Sequence, residues 1–190
     1  MARSFWLCKK DSRKRALRYS VERPKGEPPF LKFEIFEPES ESDIPKGTVS
    51  RAKASCPCCG MVLAAPRVRA QLAAQRGGAD VIFDKSGNRI GGAMLLAVVT
   101  LKNNAVGRHY RLPTKRDYAA VRLAQETVAQ LPPGVAPEEP TPVGGGAGAG
   151  RAFPLRNYGM TRFRDVFTAR QTLALCTLAK AVSEADDAPE

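Results

Sequence analysis

The stretch Thr48-Val-Ser-Arg-Ala-Lys-Ala-Ser-Cys-Pro-Cys-Cys-Gly-Met-Val-Leu63 carries the cysteines around which this chain is built. Weak alternation from Thr48 to Ser55 predicts one strand, Met61 to Leu63 a second, and the cysteine cluster a tight knuckle joining them. Two thiolates separated by two residues, Cys56 and Cys59, can reach one metal ion from such a turn, and Gly60 permits the bend that follows. A structural zinc takes four ligands, and the sequence has no second pair at this spacing. Cys58, between the pair, and Cys8 are the further candidate ligands. His109 reads as a polar strand residue and Cys176 as a small buried hydrophobe. A redox use of the cysteines calls for a thioredoxin-like βαβ setting, which the surrounding pattern lacks.

Toward the N-terminus, Phe30-Leu-Lys-Phe-Glu-Ile-Phe36 alternates apolar and charged side chains with the period of a half-buried strand, and Pro38 ends it. Before it, residues 1–29 hold Arg3, Lys9, Lys10, Arg13, Lys14, Arg15, Arg18, Arg23 and Lys25 against Asp11, Glu22 and Glu27, and residues 34–43 form an acidic patch. Within a chain of net charge +11, this reads as a basic arm ahead of an acidic bridge. Such an arm attracts nucleic-acid phosphates by releasing counterions. Arg3, Trp6, Lys9, Lys10, Arg13, Lys14, Arg15 and Arg18 are the candidate contacts, with the rings of Phe5, Trp6 and Tyr19 available to stack on bases. A solvated basic surface fits the same charge pattern.

Toward the C-terminus, Pro66 stands where a helix starts and Gly77-Gly78 where it stops. Brief strands are expected over residues 79–83 and 94–101, the second pairing with residues 110–112, with a turn at Lys85-Ser-Gly-Asn88. Thr114 and Asp117 have capping-box spacing ahead of a helix to Leu131, which Pro132-Pro133 ends. Residues 132–150, proline-rich and then glycine- and alanine-rich, read as a linker. Thr168 and Gln171 form a second capping box, followed by Leu175, Leu178, Ala179 and Val182 on one helical face that needs something to dock on.

These elements predict an α+β chain in four parts: a basic arm with a partial zinc ribbon over 1–65, a small α+β body over 66–131, a linker over 132–152 and a C-terminal helical segment over 153–190. With 15 prolines and 16 glycines gathered in a few stretches, the core of a 190-residue chain is expected to be modest. No run approaches the roughly 20 apolar residues of a membrane span, and the N-terminus lacks a signal-peptide pattern, so a cytoplasmic protein without a membrane partner is expected. Clustered rather than distributed cysteines fit a reducing compartment. The glycine run 144–150 does not follow a hydrophobic strand and is followed by Phe153-Pro154, which excludes a phosphate-binding loop. Asp-Pro-Pro-Tyr, Walker and Gly-x-Ser-x-Gly motifs are absent from the sequence.

Three segments together resemble the middle of the large adenine-specific DNA methylases that contain a zinc ribbon: Arg3-Ser-Phe-Trp-Leu-Cys-Lys-Lys10, Gly47-Thr-Val-Ser-Arg-Ala-Lys-Ala-Ser-Cys-Pro-Cys-Cys-Gly60 and Asn157-Tyr-Gly-Met-Thr-Arg-Phe-Arg-Asp-Val-Phe-Thr-Ala-Arg-Gln171. The resemblance spans nearly the whole chain; the last segment is its most specific part and the knuckle alone its least. It implies that the S-adenosylmethionine motif lies before this region, the adenine-holding Asp-Pro-Pro-Tyr after it, and a second cysteine pair upstream to complete the zinc site with Cys56 and Cys59. Cys8 stands where the family usually has another residue. The implied protein is a truncated, split or excised methylase piece that binds DNA, takes zinc, and works with the remaining methylase segments or a complementary chain. S-adenosylmethionine would belong only to the intact family protein. A free-standing zinc, redox or RNA-associated protein is the alternative, and a severed zinc site carries the expectation that the first sixty residues fold poorly alone.

Overall fold

The computed structural model describes residues 1–50, 53–75, 79–101, 107–143 and 154–186. The chain is a mixture of helices and small antiparallel sheets, an α+β protein. Among the described residues ten strands are formed: β1 Trp6–Cys8, β2 Arg15–Glu22, β3 Phe30–Phe36, β4 Val49–Ser50, β5 Lys53–Ser55, β6 Val62–Leu63, β7 Val81–Phe83, β8 Arg89–Gly92, β9 Val98–Leu101 and β10 Arg108–Arg111. The α-helices are α1 Ala65–Ala73, α2 Lys115–Ala129 and α3 Ala169–Asp186. None of the described helices is long and apolar enough to cross a membrane. The chain divides into two compact units, one of Met1–Val68 with Leu95–Pro113, the other of Arg69–Met94 with Thr114–Glu190. These units cut across the sequence-based boundaries: residues 66–131 contribute to both.

The first unit is organised by the sheet β1-β2-β3. Its long pair is in continuous register from Ala16 opposite Phe36 to Glu22 opposite Phe30. Alternation puts Leu17, Tyr19 and Val21 on one face opposite Ile35, Phe33 and Leu31, while Arg18 and Ser20 share the other with Glu34 and Lys32. Phe5 adds its ring to the apolar face, 5.4 Å from Tyr19 and 6.3 Å from Phe33. Leu17, Ala16 and Phe5 are buried. The stretch read as a basic arm is therefore two strands of this sheet, with a core of its own. Phe5 is removed as a stacking platform, because the residue is only 3% exposed.

The other sheets of this unit are β4-β5-β6 and the pair β9-β10. The first is tied to the N-terminus, where Thr48 exchanges hydrogen bonds with Ala2 through its backbone N–H, 2.8 Å to the Ala2 carbonyl, and its hydroxyl, 2.9 Å from the Ala2 nitrogen. The second begins four residues later than expected, at Val98, and pairs Val98 with Arg111 and Leu101 with Arg108.

In the second unit, β7 and β8 form the hairpin expected around Lys85-Ser-Gly-Asn88, and Gln125 of α2 donates to the Val81 carbonyl at 2.8 Å. Tyr118 meets Phe83 edge-on, and Val81, Val121 and Ala124 are buried. Both capping boxes are formed: the Thr114 N–H donates to the Asp117 carboxylate at 2.7 Å, the Thr168 N–H to the Gln171 amide oxygen at 2.9 Å, and the Gln171 N–H back to the Thr168 hydroxyl at 3.3 Å. The expected docking face of α3 is not the one that is covered. Ala169 and Thr172 are buried, while Leu175, Leu178 and Val182 are 49%, 64% and 61% exposed.

Most of the proline-rich part of the expected linker is exposed, but Thr141 anchors it by hydrogen bonds. Thr141 is 1% exposed; its backbone N–H donates to the Thr161 carbonyl at 2.9 Å, its hydroxyl to Met160 at 2.8 Å, and its carbonyl accepts Arg156. These bonds satisfy a backbone that has no strand ladder of its own beyond the bridge of Pro140 to Arg162. The glycine run 144–150 lies outside the described residues. Nearby, Gly159 has φ +83° and sits against the backbone of Ala73, leaving no room for a Cβ.

Candidate functional site

The cysteine cluster forms the turn between β5 and β6, whose register runs Ala54 opposite Leu63 and Ser55 opposite Val62. Cys56 donates its N–H to the Met61 carbonyl at 2.8 Å and accepts Gly60 N–H on its own carbonyl at 2.8 Å. Gly60, at φ +74°, supplies the left-handed residue that lets the turn close. Inside it, the backbone N–H of Cys59 and then that of Cys58 bond the Cys56 sulfur and hold its thiol below the ordinary value. Cys58 is shifted the other way, first by burial and then by its neighbour Cys56. Its sulfur is directed at the Pro29 carbonyl, 4.0 Å away, and its own carbonyl accepts Arg23 at 2.6 Å. Cys59 is exposed.

Backbone N–H groups aimed at a sulfur stabilise the charged form in which cysteine binds a soft metal, so Cys56 and Cys59 suit two positions of a zinc site. Among the described residues, no three His, Cys, Asp or Glu side chains gather in a metal-binding group. Cys8 does not join the knuckle. It pairs with Arg15 at one end of β2, while Pro29 and Arg23, which touch Cys58, flank the other end. At ~3.3 Å per residue, the strand between them separates the two cysteines by roughly 20 Å. Cys176 lies in α3 of the second unit, its thiol 3.4 Å from the Val135 carbonyl.

The eight basic-region candidates fall into different settings. Arg18 makes a two-pronged contact with Glu34, both bonds 2.9 Å, Arg15 bonds Glu37 at 2.6 Å and Lys9 lies 3.6 Å from Glu41. The acidic patch thus folds back onto the basic strand. Lys9 also lies over the Trp6 ring at 5.3 Å, covering part of that stacking surface. Arg3 and Lys10 are exposed, Lys14 is half-buried, and Arg13 lies against Gly107 at the start of β10. Proximity in sequence grouped these cations, and only the sheet register could have shown which of them face carboxylates.

The second unit has an open cleft of about 770 Å³ lined by Val81, Gln125, Ala129, Arg164, Phe167 and Thr172 among others. Several polar side chains around it are engaged: Asp80 accepts the Ala169 N–H at 3.1 Å, Gln125 donates to the Val81 carbonyl, and Arg164 bonds Glu138 at 2.5 Å. The strands beside it are an antiparallel hairpin, not the carboxyl edge of a parallel sheet.

No protein-family model, no curated protein and no solved structure matches the chain.

Proposed function

We propose that this chain is a non-catalytic, DNA-contacting structural region of an adenine-specific DNA methylase, built around half of a zinc ribbon. The observation that carries this reading is the Cys56–Gly60 turn, closed between two paired strands with backbone N–H groups turned toward the Cys56 sulfur. Cys56 and Cys59 would hold the zinc, which when bound supplies a structural cross-link rather than reaction chemistry. Two further ligands come from another methylase segment or a complementary chain, since Cys8 is held at the far end of β2. In this reading the methyl donor and the extruded adenine are seated by those other segments, and the present chain contributes cation-bearing surface and a strand framework.

Two measurements on the purified chain test it. Titration calorimetry with S-adenosylmethionine is expected to give no binding heat; a saturable heat overturns the non-catalytic assignment. Elemental analysis after zinc loading is expected to give weak, sub-stoichiometric retention that Cys56→Ser abolishes and Cys8→Ser leaves unchanged. One tightly held zinc per chain, lost in Cys8→Ser, points instead to a free-standing zinc protein.

A further inference from the structure

We propose that the two-stranded ribbon β9-β10, with Arg13 at its turn end, enters the major groove of duplex DNA. This rests on the DNA-contacting reading above and locates the contact away from most of the basic stretch at residues 1–29. Charge is the first reason. Lys9, Arg15 and Arg18 face Glu41, Glu37 and Glu34, so their attraction for a phosphate is largely cancelled. Residues 95–113, by contrast, contain no Asp or Glu. Arg108 and His109 are exposed, and the Arg13 guanidinium lies against Gly107 immediately beside Arg108. Among the described residues, neither Arg13 nor Arg108 forms an ion pair.

Shape is the second reason. Among the described residues the sheet has these two strands alone, and a two-stranded ribbon is narrow enough for the roughly 12 Å major groove. The register sets Arg108 opposite Leu101 and Tyr110 opposite Val99, on one face by strand alternation. Leu101 is 78% and Val99 50% exposed. A guanidinium next to exposed aliphatic groups matches a base-pair edge: it can donate in a bidentate manner to guanine O6 and N7, while the aliphatic side chains meet thymine methyls. Arg13, set back at the turn, is placed for a phosphate, which fixes position rather than sequence. An apolar protein partner would use Leu101 and Val99 but draw no benefit from these uncompensated cations.

The test is fluorescence anisotropy of the full chain with a labelled mixed-sequence duplex over a salt series. Arg13→Gln with Arg108→Gln is expected to weaken binding about tenfold or more and to flatten the slope of log K against log salt by about 1, the one phosphate-neutralising charge being that of Arg13. Arg108→Gln alone weakens binding with little change of slope, Arg13→Gln alone accounts for the flattening, and Arg18→Gln changes either least. A folded double variant, checked by circular dichroism, with unchanged slope overturns the ribbon while leaving the DNA reading intact. Stronger binding to a single strand with the same dependence on Arg13 and Arg108 overturns the groove assignment. A parent chain that binds neither form overturns the DNA reading itself.

Discussion

Cys56 and Cys58 stand two residues apart, yet the turn treats their sulfurs oppositely. Cys56 receives backbone N–H groups that favour its thiolate, whereas Cys58 loses water and has Cys56 as a neighbour. Below both thiol values the thiolate fraction rises tenfold for each unit by which a pKa is lowered, and the accompanying loss of nucleophilicity offsets only about half of that on a logarithmic scale. In the metal-free chain near neutral pH, iodoacetamide is therefore expected to label Cys56 before Cys58. Peptide mapping of partially alkylated protein reads the order directly, and earlier labelling of Cys58 would contradict the described turn. The sequence announced this turn through residue types and spacing alone, because a Cys-x-x-Cys-Gly pattern needs only local geometry. It could not announce Arg13 beside Gly107, since that neighbourhood is created by folding between positions far apart in the chain.

Among the elements, those governed by local rules were legible. The boxes Thr114–Asp117 and Thr168–Gln171 satisfy helix N-termini with side chains three residues apart, and both helices begin where that chemistry places them. β3 was legible through its alternation. β1 and β2 were not, because Arg15, Arg18 and Glu22 surround the few apolar residues of β2 and its burial depends on Phe5 and β3. The docking face of α3 was misread for a related reason: periodicity identifies a stripe, but tertiary contacts choose the face, and here Ala169 and Thr172 are covered while the leucines are exposed. Thr168→Ala is expected to cost about 1 kcal/mol through loss of the cap. Leu178→Ala, at 64% exposure, should stay within about 0.5 kcal/mol. Urea midpoints compare the two, and a Leu178→Ala loss exceeding that of Thr168→Ala would mean that the exposed stripe is covered.

At the scale of the whole molecule, each compact unit takes pieces from separate parts of the chain, an arrangement that no linear scan of composition delimits. Charge, however, sums over the sequence regardless of topology, and it sets the response to acid. Glu34 is held below its ordinary value by the Arg18 hydrogen bond, Asp43 by backbone N–H of Ser40, and Asp84 by backbone N–H of Asn88. A carboxylate lowered in the folded state contributes its full stabilisation above the unfolded-state value and loses it as pH falls through the folded one. Protonation also removes the negative side of a chain with 30 Lys and Arg against 19 Asp and Glu, so self-repulsion grows in the same direction. The urea midpoint is accordingly expected to fall between about pH 6 and about pH 3. Added salt should recover the part due to repulsion, which is long-ranged and screened, but not the part due to the short hydrogen bonds of Asp43 and Asp84. Asp43→Asn with Asp84→Asn should therefore lower the midpoint near neutral pH and flatten its decline at high salt. A midpoint that stays level or rises on acidification would contradict the carboxylate environments described.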